Sequence, residues 1–352
     1  MNTKPTYLLM GNAESPHLSK WAKELTKYVD LYVLSFQGLS TEMLSIVSNE
    51  RCFAFRNKVK VQGGNIHLLK LLPKVKRIFD NLRPTFINAH YLTSYGFLAA
   101  LAKPKKAKLI LSAWGSDVLV TPFESYIKRK LTQYTLKNAA LVTSDSQYMT
   151  EKIKLLNPQA TVLTFPFGVE ALPDCNFDEK NPNLFFSNRA LTENYRIDLV
   201  LEHFATICKS NSEAVLFIAN DGIEKERLMN KTNELRISEK VKWLGYLNSD
   251  EQAEIYRKTM FFFSLPKSDA TSVSLLEAMA YGCVPIVSDI PANREWITNL
   301  ENGIIVEQGA NIASTISKLS CSLIFNKNRT IIQERALFPR SIKDYIEYLL
   351  KI

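Results

Sequence analysis

No run among these 352 residues approaches the about 18 uninterrupted apolar positions that a membrane-spanning helix needs. The opening, MNTKPTYLLMGN, has one lysine and a short apolar stretch broken by Gly11 and Asn12. That argues for a first β-strand rather than a secretory leader. Cysteine is scarce, at positions 52, 175, 208, 283 and 321, and the five form neither a CxxC pair nor a Cys/His cluster. Zinc-binding spacing is therefore absent, and buried thiols in a reducing, cytoplasmic compartment are expected. The twelve glycines compose neither GxGxxG nor GxxxxGK[ST]. The first absence argues against a bound NAD or FAD, and the second excludes a P-loop NTPase. No finger, helix-turn-helix or RNP signature supports nucleic acid as a partner.

Charge of one sign is unevenly supplied. Residues 1–170 hold 23 Lys+Arg against 11 Asp+Glu, a net of +12, whereas residues 171–352 hold 21 against 24, a net of −3. The basic excess includes Lys103, Lys105, Lys106 and Lys108, then Lys128, Arg129 and Lys130. A basic half-molecule fits an anionic lipid surface or a phosphate-bearing substrate, and equally plain solubility.

Short apolar runs alternate with amphipathic stretches. TYLLMG, LYVLSF, FINAHY, LILSAWG, ALVTSDS and VLTFPFG read as strands in the first half, and NLFFSN, VLFIAND, VKWLGYL, MFFFSLP and VPIVSD in the second. Helical patterns lie between them, as in Leu18–Tyr28 and Ile197–Lys209. Repeated strand–helix–strand order means parallel sheets with crossover helices, so the fold class is α/β with two Rossmann-like domains facing each other across a cleft. The expected division is 1–170 for the first Rossmann-like domain and 171–330 for the second. Residues 331–352 are expected to form a last helix returning to the first domain. The Pro- and Asx-containing segment Glu170–Asn183 reads as the linker.

The segment FFFSLPKSDATSVSLLEAMAYGCVPIVSD, residues 261–289, carries the chemistry. A strand ends at Ser264–Pro266. A polar loop follows, and a helix starts near Val273, capped by Thr271 or Ser272 and closed by Gly282. Free N–H groups at that helix start suit a diphosphate, and the small residues around Thr271, Ser272 and Ser274 let it approach. Glu277, one turn inside, has two oxygens for the vicinal hydroxyls of a ribose, and Asp269 at the loop tip can accept hydroxyls of a sugar. The same spacing also describes an ordinary capped helix with two solvated acids.

This segment resembles the E-x7-E region of the family-4 retaining glycosyltransferases, which have the GT-B fold, with Asp269 in the first acidic position and Glu277 in the second. LEAMAYGCVPIVSD is close to the family's LEAMAxGxPVVxS run. The resemblance implies that Asp269 contacts the donor sugar and Glu277 the ribose. SNRALTENYRIDLVLEHF is similar to the family's basic motif: Arg189 takes the arginine position facing the donor diphosphate. Asn194 and Tyr195 stand near the motif's lysine position, with Arg196 the nearest cation. Gly245 and Tyr246 correspond to the loop beside the base, and Asn293, Arg294 and Glu295 to the turn beyond the donor pocket.

In the first half, GNAESPHLSKWAKEL resembles the family's opening loop, which implies donor contact at Gly11. His17 there either points into the cleft towards the acceptor or caps the next helix. INAHYLTSYGFLAAL and LSAWGSDVL resemble the "HAHY" and "GSD" segments, but Trp114 stands where many members have a histidine. His90 and Asp117 are the polar groups left at strand ends to orient the acceptor hydroxyl or stabilise charge; His90 reads equally as a structural histidine. The implied function is metal-independent transfer of a hexosyl or N-acetylhexosaminyl group, with no cofactor beyond the nucleotide-sugar itself. UDP is favoured over GDP. The acceptor is a glycan or polyprenyl-diphosphate-linked sugar of bacterial surface polysaccharide, met at the inner face of the membrane. A non-catalytic GT-B binding protein and a GT-B sugar-nucleotide epimerase are the alternatives.

Overall fold

The computed structural model describes residues 4–59, 65–307 and 311–352. The chain forms two compact units, Met1–Phe165 with Pro339–Ile352, and Pro166–Phe338.

Among its described residues the first unit holds seven parallel strands: β1 (Thr6–Met10), β2 (Asp30–Ser35), β3 (Cys52–Ala54), β4 (Phe86–His90), β5 (Lys108–Ser112), β6 (Leu141–Ser144) and β7 (Val162–Thr164). Their order is β3-β2-β1-β4-β5-β6-β7. The chain thus builds outward from β1 in one direction, then returns to start again at β4. Helices return the chain between strands, Pro16–Leu25 after β1 and Tyr126–Lys137 before β6 among them. The central strands β1 and β4 are buried almost end to end, as expected of a sheet covered on both faces. The last helix, Phe338–Leu349, buries Ile342, Tyr345, Ile346 and Leu349 in this unit. The hydroxyls of Tyr345 and Tyr7 meet at 2.7 Å, and the Tyr345 ring packs on Trp21 and Phe165.

The described residues of the second unit repeat the plan with six parallel strands: β8 (Asn181–Ser187), β9 (Val215–Ala219), β10 (Val241–Gly245), β11 (Thr259–Ser264), β12 (Val284–Ser288) and β13 (Ile304–Val306). Their order is β10-β9-β8-β11-β12-β13. Every residue of β11 and β12 is buried. Phe185, Phe261 and Phe263 stack on one face of the sheet and Phe186 and Phe262 on the other, which follows from the two-residue side-chain period.

Two boundaries differ from the sequence expectation. The chain enters the second unit at Pro166 rather than after Glu170, because Val169 pairs with Leu337: Val169 N–H donates to the Ala336 carbonyl (2.9 Å) and Phe338 N–H to that of Val169 (2.8 Å). For the same reason the chain leaves that unit at Phe338 and not near residue 330. The long helix Cys321–Arg335 belongs to the second unit, and only Pro339–Ile352 to the first. The expected linker is not all irregular either, since β8 already begins at Asn181.

Candidate functional site

Both sheets have a switch point, where neighbouring strands send their connections to opposite sides, and loops diverge there at the carboxyl edge. In the second unit it lies between β8 and β11. The loop after β8 supplies Asn188 and Arg189, and the loop after β11 leads into the helix Val273–Ala280. Ser272 caps that helix, its Oγ accepting from Leu275 N–H at 3.3 Å. Arg189, buried, lies against this helix start. Its Nη1 donates to the hydroxyls of Ser272 and, at 2.7 Å, Ser274, and its Nη2 forms an ion pair with Asp269 Oδ2 at 2.6 Å. The Tyr195 ring backs the guanidinium at 4.3 Å. Arg189 Nε–H is buried and has no hydrogen-bond acceptor among the described residues, an open donor at a helix N-terminus.

Asp269 and Arg189, assigned to sugar and diphosphate respectively, are thus partners of each other here. Burial pushes the Asp269 carboxyl up, and Arg189 opposes that shift. Glu277, half-buried, lies 3.3 Å from the Tyr256 hydroxyl, which shares its one proton between that carboxylate and the Ser274 carbonyl at 3.2 Å, and Asn188 Nδ2 donates to the hydroxyl at 2.8 Å. Tyr256 and Asn188 therefore orient the carboxylate, a role that nothing in their spacing signals. Thr271 Oγ1 accepts from Trp296 Nε1 at 3.2 Å, which ties the loop to the core. Val273 opens the helix and is half-buried. Gly245 adopts φ +67° with open space where a side chain would stand, and Tyr246 beside it is 77% exposed.

Arg196 does not lie free for a phosphate. It caps the helix Ile197–Ser210 with φ +47°, and its guanidinium donates to the carbonyls of Leu265 (2.7 Å) and Pro266 (3.2 Å). Its work is to hold the end of β11. Asn194 holds the next residues: its Nδ2 donates to the Ser268 carbonyl (3.0 Å), and its Oδ1 accepts from Ser268 N–H (3.3 Å). Asn293 likewise turns inward, its Nδ2 donating to the Ser288 carbonyl at 2.9 Å.

In the first unit the switch point lies between β1 and β4, beside a cavity of about 110 Å³ whose lining includes Asn12, His17, Gln37, His90, Tyr91 and Trp114. Gly11, at the end of β1, is closely packed: a methyl group there would meet Leu18 Cδ1 at 2.6 Å and approach His90 Cβ at 3.4 Å. The Trp114 ring lies 5.4 Å from both His17 and His90, centre to centre. His17 belongs to the helix Pro16–Leu25 and does not cap it, since Ser15 does. His90 Nε2 is 3.2 Å from Asn88 Oδ1, so that nitrogen carries the proton and donates; Nδ1 has no partner among the described residues. Burial, with His17 second, drives the ring's pKa down to about 3.

Asp117 departs from its expected catalytic role. It is buried, and its two oxygens accept the N–H groups of Leu92 (2.8 Å) and Trp114 (3.0 Å). Burial pushes its pKa up to about 6 against those hydrogen bonds. It is a positioning residue that fixes the loops after β4 and β5. Among the described residues no group of three or more His, Cys, Asp or Glu is placed to hold a metal ion, and no helix is long and apolar enough to cross a membrane.

Two family models match the chain. One, Glycosyl transferases group 1, covers residues 169–336, and the other, Glycosyl transferase 4-like, covers residues 7–146. Among curated relatives, the chain is 24% identical over 255 residues to the N-acetyl-alpha-D-glucosaminyl L-malate synthase of Bacillus anthracis, covering 68% of this chain and 66% of the relative. It is 23% identical over 299 residues to the UDP-N-acetylglucosamine–peptide N-acetylglucosaminyltransferase GtfA subunit of Limosilactobacillus reuteri, covering 84% and 54%. The chain thus spans just under two thirds, and about half, of those relatives' lengths. Among solved structures, Anabaena HepE in complex with UDP superposes with a TM-score of 0.77 at 13% identity, covering 99% of this chain and all of that one. Sucrose-phosphate synthase from Thermosynechococcus elongatus superposes at 0.82 and 12%, covering 98% and 99%. At these identities the superpositions establish the fold. With one model on each unit and that fold shared along the whole length, the chain belongs to the glycosyl transferases group 1 family, with the GT-B architecture.

Proposed function

We propose that this chain is a retaining glycosyltransferase. It would move a hexosyl or N-acetylhexosaminyl group from a UDP-sugar to a hydroxyl of a glycan or polyprenyl-diphosphate-linked sugar, on the cytoplasmic side of a bacterial membrane. The observation that carries this reading is the convergence, at the switch point of the second sheet, of the buried Arg189 with its open Nε–H, the Ser272 and Ser274 hydroxyls and the start of the helix Val273–Ala280. These are donors for a diphosphate. Glu277, one turn in and oriented by Tyr256, is the acceptor for ribose hydroxyls. UDP is favoured because a relative's name specifies UDP-N-acetylglucosamine and HepE was solved with UDP.

In the transfer, the bond from the sugar's anomeric carbon to the β-phosphate oxygen breaks and its electron pair leaves with UDP. The acceptor oxygen bonds to that carbon on the same face, and the acceptor proton passes to a departing phosphate oxygen. Arg189 stabilises the developing charge. Donor binding exchanges the Arg189–Asp269 ion pair for Arg189–phosphate contacts, which frees Asp269 to accept sugar hydroxyls. No metal ion is required in this reading.

The test is UDP and GDP binding by calorimetry, followed by nucleotide release from the UDP-sugars with candidate acceptors. Glu277→Ala is expected to weaken UDP binding at least tenfold, since charged hydrogen bonds contribute about 1.5–3 kcal/mol each. EDTA is expected to leave release unchanged. Equal UDP affinity in Glu277→Ala overturns the site. Tight UDP-sugar binding with no UDP release in any acceptor mixture favours a binding protein, and epimerised UDP-sugar favours an epimerase.

A further inference from the structure

Six of the seventeen exposed large hydrophobic side chains among the described residues fall within fifteen positions of the first unit: Val120, Phe123, Tyr126, Ile127, Leu131 and Tyr134. Tyr126 and Ile127 are 74% and 71% exposed. On the helix Tyr126–Lys137, Ile127, Leu131 and Tyr134 stand at i, i+4 and i+7, which places them on one stripe. That spacing ordinarily marks the side of a helix turned to the core. Here it is reversed: the buried positions of the helix are Thr132, Thr135 and Leu136, and the apolar stripe faces outward. Pro122 and Val118 are buried and anchor the preceding segment, from which Phe123 projects.

Charge accompanies the stripe. Arg129, Lys130 and Lys137 lie on the outer side of the same helix and are exposed. The Lys130 ammonium lies 5.3 Å from the centre of the Tyr126 ring. Between positions 103 and 144 the chain has eight Lys or Arg and two acids; of the two, Asp117 is buried and Glu124 is paired with Lys128. The direction of the chain also matters. The sheet is parallel, and this helix follows the carboxyl end of β5 and returns to the start of β6. Its first turn therefore lies towards the edge that carries His90, Trp114 and the cavity. Lys103, Lys105 and Lys106 precede β5 and Lys108 opens it, all at the opposite edge, where Lys108 Nζ donates to the Ile352 carbonyl at 2.5 Å.

We propose that the segment Val120–Lys137 docks the first unit onto an anionic lipid surface. Phe123, Ile127, Leu131 and Tyr134 would enter the headgroup layer, and Arg129, Lys130 and Lys137 would face the lipid phosphates. An apolar stripe flanked by cations is the arrangement that binds in the plane of an interface, and neither part suffices alone. The inference rests on the membrane-linked acceptor of the proposed function, since docking at this edge brings the cavity to the surface where such an acceptor is held.

The test is flotation of the full chain with vesicles of phosphatidylcholine alone or with 30% phosphatidylglycerol, read without any turnover, so that it stands apart from a failure of the glycosyltransferase reading. Wild type is expected to partition at least tenfold better onto the anionic vesicles, and to lose that preference in 0.5 M salt. Ile127→Ser with Leu131→Ser is expected to reduce partitioning at least tenfold. Each of Lys130→Ala and Lys137→Ala is expected to reduce it about fivefold. All four sites are solvent-facing, so melting temperature and UDP affinity are expected to stay at wild-type values and serve as the folding control. Unchanged partitioning in the double serine variant overturns the proposal. So does a wild-type dimer in sedimentation that ignores vesicles and dissociates in that variant, because a second copy then covers the stripe.

Discussion

His90 and Asp117 follow neighbouring strand ends, and the same cause, burial, shifts their pKa values in opposite directions. Neutral His90, with its pKa at about 3, contributes stability that is complete above the ring's ordinary value near 6.5 and is lost as the pH falls from there. Asp117, with its pKa at about 6, binds its proton more tightly folded than unfolded, so its contribution is complete below about 3.8 and is lost as the pH rises through 6. Between pH 6 and 4 the two slopes have opposite signs and nearly cancel. Asp117→Asn removes one of them. Relative to wild type, its stability is expected to fall by roughly 2 kcal/mol more between pH 6 and pH 4, read as denaturation midpoints in urea. Parallel pH profiles would show that Asp117 is not the buried titrating group. The same pair marks how far the sequence is legible at this scale. Asp117 looks catalytic because an acid follows a strand end, but only coordinates show both oxygens spent on backbone N–H groups. Glu277 and Arg189 are legible from their motifs. Asn188 and Tyr256, which orient Glu277, lie 89 and 21 positions before it, and no periodicity connects such separations.

Elements are legible where burial is complete and less so where it is not. The continuous apolar runs of β11 and β12 announce central strands, whereas β3 and β13 are three-residue edge strands that go unread in the sequence; β7 is as short and also at an edge, but the apolar run VLTFPFG extends beyond it. The helix Tyr126–Lys137 is legible as a helix, but its spacing points the wrong face inward, because a periodic stripe says nothing of what covers it. The helix Val273–Ala280 is the best determined of all. Its start is fixed by Ser272 and its end by Gly282, which adopts φ +73° and leaves no room for a side chain: a methyl group there would stand 2.1 Å from the Phe325 ring. Gly282→Ala therefore meets both a backbone penalty and a clash with the helix Cys321–Arg335. Its expected cost is about 3 kcal/mol in urea denaturation of the second unit. A loss under about 1 kcal/mol would mean that the turn relaxes freely.

At the scale of the whole molecule, the chain leaves the first unit at Phe165 and re-enters it at Pro339, so fourteen residues that come last in sequence complete a unit begun by the first strand. Periodicity alone reveals the amphipathic face of that last helix, but not its partners; these are Tyr7, Trp21 and Phe165. Ile342, Tyr345, Ile346 and Leu349 are all buried there, and each such side chain contributes about 1.5–3 kcal/mol, which together rivals the 5–15 kcal/mol that holds a typical domain folded. Deleting residues 339–352 is therefore expected to unfold the first unit selectively. In hydrogen exchange, strands β1, β4 and β5 should lose their protection while β8, β11 and β12 keep theirs, because the second unit closes on itself through Val169 and Leu337. The milder Tyr345→Phe leaves the Tyr7 hydroxyl buried without its partner and is expected to cost about 1–3 kcal/mol with the fold intact. If β1 and β4 stay protected in the deletion, the last helix is an ornament on a sheet that folds without it. If protection is lost throughout both sheets, the two units fold as one, and the family's two-part architecture is not reflected in independent stability.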